Sequence, residues 1–189
     1  MMNVVIFGAP GSGKGTQSHL IADRYNLYHI STGEVLRSEI AHDTELGRMA
    51  NEYISQGHLI PDKLMLDVLE TVLDMHKDEM KNGVIFDGFP RTIPQAVAFN
   101  ELLNRRSTPL TAVIGLDVEN SALIERMLLR GAETGRADDN IDTIRERLNV
   151  YENQTAPLRK FYEEQGVYRN IDGNGKVEEV FDRITKILD

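Results

Sequence analysis

The 189-residue chain contains no cysteine and no tryptophan. Without thiols, disulfides, thiolate zinc sites and cysteine nucleophiles are excluded together, which suits a reducing compartment such as the cytoplasm. No apolar run approaches the roughly 18 residues needed to cross a bilayer, and the first residues read as a strand rather than as a charged leader, so neither targeting nor membrane association is expected. Positive charge is scarce: 21 Lys and Arg face 30 Asp and Glu, for a formal net charge of −9. No global basic field exists to hold a long nucleic acid, and anionic ligands must be caught by local charge. The cations present are mostly arginine, 14 against 7 lysines, and guanidinium forks suit bidentate phosphate binding, although codon composition also sets that ratio. Repeats, low-complexity stretches and heptad seams are missing, which makes a monomer the expectation. At 41% apolar content a chain of this length buries about 70% of its extended surface, enough for one core. Residues 1–189 therefore read as a single domain.

What is present begins at Gly8-Ala9-Pro10-Gly11-Ser12-Gly13-Lys14-Gly15-Thr16, directly behind the apolar run Asn3 to Phe7 and ahead of a helical pattern. That is where a phosphate-binding loop belongs. Glycines let the backbone wrap an anion, N–H groups converge on its oxygens, and the next helix adds the positive end of its dipole. Lys14 supplies a point charge for terminal phosphates. The match to G-x-x-x-x-G-K-[ST] is imperfect, because Gly15 follows the lysine and the hydroxyl comes one residue later, at Thr16. A magnesium ion accompanying the bound nucleotide is expected, and no protein residue is assigned as its ligand.

Strand-like runs, Asn3 to Phe7, Tyr28 to Ile30, Gly83 to Asp87, Thr111 to Asp117 and Val167 to Ile171, alternate with helical ones. This predicts an α/β, three-layer P-loop fold: a central parallel sheet of about five strands with helices on both faces. Helices are expected over 15–24, 33–41, 45–56, 62–81, 94–104, 120–130, 139–165 and 176–188, with a break near Pro157. The helical insertion 31–60 reads as a flap. Arg130 to Arg136, with two glycines between arginines, reads as a mobile cationic loop.

Asp87 ends a buried-type strand, the place for an acid that orients hydrated magnesium beside a phosphate loop. Thr92-x-x-Gln95 and Ser31-x-x-Glu34 are possible capping boxes, yet the Gln95 amide also offers the donor and acceptor that adenine demands. Asp138 and Asp139 could cap the next helix, hold arginines, or both. Arg126 and Arg130 share a helix face. Arg145 and Arg147 flank the stripe Ile141, Ile144, Leu148 and Tyr151 on opposite sides, so phase does not choose between them. The five histidines show no metal-ligand spacing, and none is assigned to catalysis.

Gly8 to Thr16, Ile30-Ser31-Thr32-Gly33-Glu34-Val35-Leu36-Arg37, Asp87-Gly88-Phe89-Pro90-Arg91-Thr92 and Gly135-Arg136-Ala137-Asp138-Asp139-Asn140 together resemble the successive signatures of the adenylate kinases, in order and across nearly the whole chain. The likeness is to the short-lid form. It implies reversible phosphoryl transfer from ATP to AMP, giving two ADP. Gly11, Ser12, Gly13, Lys14, Gly15 and Thr16 would hold ATP phosphates, with Arg130 beside them and Gly175 against the adenine. Thr32, Arg37, Gly88, Phe89, Pro90, Arg91, Gln95, Arg136 and Arg147 would bind AMP, with backbone groups of His58, Leu59 and Ile60. Lys14, Arg91, Arg126, Arg130, Arg136 and Arg147 would carry catalysis, and residues 31–60 and 130–136 would be flap and lid. The resemblance selects Arg147 over Arg145.

Phosphoryl transfer asks for in-line alignment and charge neutralisation more than for covalent chemistry, so a ring of arginines with lysine and magnesium suffices. Two rivals remain: a UMP/CMP kinase, opposed by Thr32, Thr92 and Gln95, and a regulator that binds ATP without turning it over, opposed by the second set of arginines.

Overall fold

The first strand sets the architecture, because its side chains alternate between two apolar layers. In the computed structural model, which describes all 189 residues, β1 (Met2–Gly8) sends Val5 and Phe7 into one buried cluster and Val4 and Ile6 into another. A strand buried on both faces must sit at the centre of a parallel sheet. The order is β2-β3-β1-β4-β5, with β2 at Tyr28–Ser31, β3 at Gly83–Asp87, β4 at Ala112–Asp117 and β5 at Tyr168–Asp172, and every pairing is parallel.

On one face, α1 (Lys14–Tyr25) and α9 (Val177–Leu188) press Ile21, Val180 and Ile184 onto Ile85 and Ile114. On the other, α4 (Asp62–Met75), α5 (Ile93–Arg105) and α8 (Leu158–Glu164) bring Leu69, Phe99 and Tyr162 onto Val84, Phe86 and Val113. Phe86 and Phe89 both meet the Phe99 ring edge to face, at 4.9 and 5.3 Å. Each such side chain contributes about 1.5–3 kcal/mol by leaving water. The expected fold is the one observed, and no helix is long and apolar enough to cross a membrane.

Within the 31–60 insertion lie α2 (Thr32–Ala41) and α3 (Glu45–Ile54). Ser31 caps α2 by accepting from the Glu34 N–H, and Thr44 caps α3 by accepting from Gly47.

Three elements differ from the sequence reading by more than a residue or two at an end. The helix expected over 62–81 stops at Met75, and a 3-10 turn, Lys77–Glu79, swings the buried Met80 into the core before β3. The helix expected over 139–165 divides into α7 (Ile141–Val150), a π turn (Tyr151–Thr155) and α8. Pro157 has no N–H to continue the ladder, and the chain widens just before it, with Ala156 N–H reaching the Tyr151 carbonyl at 2.8 Å. Finally α6 spans Asn120–Thr134, so most of the expected loop from Arg130 is helix. Gly131 permits this: a Cβ there would lie 2.8 Å from the Asp139 carbonyl oxygen, so the helix runs on only because the returning chain can touch its backbone.

Candidate active site

All parallel strands end on one edge, and β1 delivers the glycine loop there, between β3 and β4. The chain crosses from β1 to β2 on one side and from β3 to β4 on the other side of β1, which opens a crevice at that edge. The loop runs straight into α1, whose first N–H groups have no carbonyl a turn earlier to bond. Lys14 Nζ folds back to donate to the Ala9 carbonyl at 3.0 Å.

The crevice holds a cavity of about 1010 Å³ with no apolar lining residue. Seven cations line it, Lys14, Arg37, Arg91, Arg126, Arg130, Arg136 and Arg147, against only Asp87 and Glu34. In a chain of net charge −9, this concentration of positive charge is the local trap that the composition required. Gly11, Gly13, Gly15 and Thr16 share the wall. Ser12 is buried beside it, its hydroxyl without a hydrogen-bond partner.

A second cavity, about 600 Å³, opens from the first under α2 and α3. Thr32, His58, Leu59, Ile60, Gly88 and Gln95 line it with Leu36, Ile54 and Met65, a mixed wall suited to a flat base. Gly33, Arg37, Gly88, Arg91, Arg136 and Arg147 border both cavities, so cations stand where the two chambers meet. Phe89 and Pro90 line a third, smaller hollow with Lys14 and Arg91, but the Phe89 ring is a core group, 1% exposed. His58 is exposed and contacts Glu146 at 3.1 Å. Gly175 lies in the turn between β5 and α9 and borders none of these three cavities.

Two aspartates organise the arginines. Asp139 accepts a fork from Arg130 at 2.6 and 2.8 Å and a further bond from Arg147 at 3.0 Å. Asp138 accepts a fork from Arg136 at 2.6 and 3.0 Å. Burial would raise the Asp138 carboxyl, but Arg136 and Arg147 overcome it and hold the group at about 2. Capping of α7 falls instead to Asn140, which accepts from the Thr143 N–H at 3.0 Å. Arg145 points to solvent, whereas Arg147 reaches the cluster, which resolves the choice that helical phase left open. Burial and the neighbouring arginines push Arg147 down to about 10, still charged at neutral pH.

Between loop and strand, burial is the largest influence on Lys14; Arg91, Arg147 and Arg130 add to it, Asp87 opposes it, and the ammonium falls to about 7. Desolvation pushes Asp87 upward, but His29, Lys14 and Arg91 outweigh it and leave the carboxyl below its ordinary range.

Gln95 shows where local and tertiary readings meet. Thr92 caps α5 by accepting from the Gln95 N–H at 3.2 Å, while the buried amide accepts from the Arg91 N–H at 2.8 Å and donates to Asp62 at 2.9 Å. Asp62 also accepts from the Thr92 hydroxyl at 3.0 Å, a support the sequence did not reveal because it comes from 33 residues away. Gly57 was missed as well. It borders the second cavity and the third hollow with φ 79°, and a Cβ there would press on the Thr143 carbonyl oxygen at 3.0 Å; its place just past a helix end was the available signal.

The family model described as "Adenylate kinase" matches residues 6–167. The chain belongs to the adenylate kinase family. Proteins named adenylate kinase from Bacteroides fragilis and Parabacteroides distasonis are 53% and 54% identical to it, over 100% of this chain and 99% and 98% of their own lengths. One from Porphyromonas gingivalis is 52% identical over 100% of this chain and 96% of its own.

Proposed function

We propose that the protein transfers the terminal phosphoryl group of ATP to AMP, reversibly, giving two ADP, and that the two joined cavities are its donor and acceptor pockets. The observation that carries this reading is the shared border, where Arg37, Arg91, Arg136 and Arg147 face both chambers and Lys14 stands in the larger. A protein that only sensed ATP would have no use for the second phosphate-facing wall.

In this reading the glycine loop from Gly11 to Thr16 holds the donor phosphates, and Lys14 follows the moving group. The bond between the terminal phosphorus and the bridging oxygen breaks as an oxygen of the acceptor phosphate bonds that phosphorus from the opposite side. The departing oxygen keeps the electron pair, and Lys14, Arg126 and Arg130 spread its charge. No general base is needed, because the attacking phosphate oxygen is already anionic. Asp87 and Thr16 offer hard oxygen atoms on the wall of the larger cavity, which fits magnesium. When bound with ATP, magnesium supplies further charge neutralisation.

Residues 31–60 act as the acceptor flap and 130–136 as a short lid, excluding water so that ATP is not hydrolysed. Recognition of adenine by Gln95 requires its amide to exchange its bonds to Arg91 and Asp62 for bonds to the base. A cytoplasmic monomer completes the reading.

The test is ADP formation from magnesium ATP with AMP, CMP, UMP, GMP and dTMP offered separately, beside a control without acceptor. AMP is expected to be preferred by roughly a hundredfold or more, since a site built to hydrogen-bond one base leaves polar groups unpaired with another. Preference for CMP or UMP would overturn the role of Gln95, and ATP binding without any transfer would overturn the enzyme reading.

Lys14 also makes nucleotide binding pH-linked. Its ammonium is disfavoured in the empty site, at about 7 against an ordinary 10.5, and a bound polyphosphate favours the charged form. Between those values binding must take up a proton. Calorimetry of magnesium ATP binding at about pH 8.5, repeated in buffers of different ionisation enthalpy, is expected to show uptake of a large fraction of one proton; zero uptake would mean that Lys14 is already charged in the empty site.

A further inference from the structure

We propose that His19, His29 and Glu34 form a binding site for one borderline transition-metal ion, with Zn²⁺ as the reference case, separate from the magnesium that accompanies ATP. Local spacing hides the site, since its three donors come from different elements: His19 from the middle of α1, His29 from β2, and Glu34 from the first turn of α2. The fold brings one donor atom from each within 4.8 Å of the other two. The imidazole rings meet edge to face at 4.6 Å, and His19 Nε2 lies 3.7 Å from Glu34 Oε1.

The second observation is an orphaned atom. His29 Nε2 is buried with no hydrogen-bond partner, and its nearest anion, Asp87 Oδ2, is 3.9 Å away, too far for a hydrogen bond. A buried polar atom without a partner is rare in a stable fold and calls for an explanation. That nitrogen is therefore committed to no hydrogen bond within the protein.

Donor chemistry selects the class of metal. Two imidazoles and one carboxylate suit Zn²⁺ and its neighbours, with one position left for water, whereas Mg²⁺ prefers oxygen ligands throughout. Bonds of about 2.0–2.1 Å in a tetrahedron place donors roughly 3.3–3.4 Å apart, so the group must contract. The two movable members have the room, with 60% and 57% of the His19 and Glu34 side chains exposed. A bound ion would tie α1 to α2 through β2.

The experiment uses the full-length protein, stripped with a chelator, free of nucleotide and held in excess Mg²⁺. Zn²⁺ is titrated by calorimetry into it and into H19A and H76A. His76 pairs with Glu79 at 2.6 Å on the surface and is a competing place for a zinc ion to lodge. The expected result is one equivalent of Zn²⁺ bound by the parent and by H76A, with affinity at least about tenfold weaker in H19A and a melting temperature raised by Zn²⁺ only where it binds. His19 is exposed and lines none of the three site cavities, so H19A is expected to fold and to keep its ADP-forming activity. Absence of saturable Zn²⁺ binding, equal affinity in H19A, or loss of affinity in H76A instead would each overturn the site.

Discussion

Replacing Lys14 with Met is expected to lower turnover by about three orders of magnitude or more while leaving the protein folded. The loss is large because Lys14 is the only lysine on the wall of the larger cavity and, on the proposed reading, the one cation on the glycine loop that moves with the transferring group. Folding is expected to survive, because burial and three arginines oppose the ammonium in the empty site. Met keeps the length and apolar stem of the side chain and removes that unfavourable charge. The bond to Ala9 is lost, but that carbonyl still accepts from the Ser12 N–H at 3.1 Å. Steady-state kinetics beside a thermal melt decide the matter: a melting temperature equal to or above the parent's should accompany the collapse in kcat. Near-normal turnover in a folded variant would remove Lys14 from the chemistry.

Arg91→Ala is expected to separate the two pockets. Arg91 borders both chambers, and its Nε donates to the Gly88 carbonyl at 2.6 Å, which fixes the guanidinium at their shared border. The backbone is pinned separately, since the Thr155 hydroxyl donates to the Arg91 carbonyl at 2.7 Å and Gln95 accepts from its N–H. Truncation should therefore remove charge without moving the turn. We expect kcat/KM for AMP to fall about 100- to 1000-fold, the usual cost of one donor aimed at developing charge. The dissociation constant for magnesium ATP measured without AMP should change by less than about threefold, as expected for a contact on the far side of the donor phosphates. An equal loss in ATP affinity would show that the division between donor and acceptor pockets is wrong.

Much of this was legible because the signals are local. The run Asn3 to Phe7 is apolar at every position but its first and must be a buried strand, and the glycine loop behind it can only open at the sheet edge where that strand ends. Thr92 before Ile93-Pro94-Gln95 announces a helix start, and it is one. Pro157 had to interrupt the last long helical pattern for want of an N–H, although the widened turn before it was not foreseen. The run after Arg130 misled for an equally physical reason. Two glycines in seven residues read as a loop, yet Gly131 serves the close approach of the Asp139 backbone.

The sequence by itself determined the fold class, the strand-to-loop-to-helix turn of the proposed phosphate site and which residues carry the family's signatures, because strand alternation, helical period, caps and motif spacing act over a few residues. Tertiary structure alone decided which distant groups meet. It turned Arg147 inward and left Arg145 in water, anchored Arg130 and Arg147 on Asp139, tied Gln95 to Asp62, and stood His19 against His29. The physical reason is range: periodicity orients a side chain about its own helix or strand, whereas the partner it meets depends on how layers of the sheet and its helices pack, a property of the whole core.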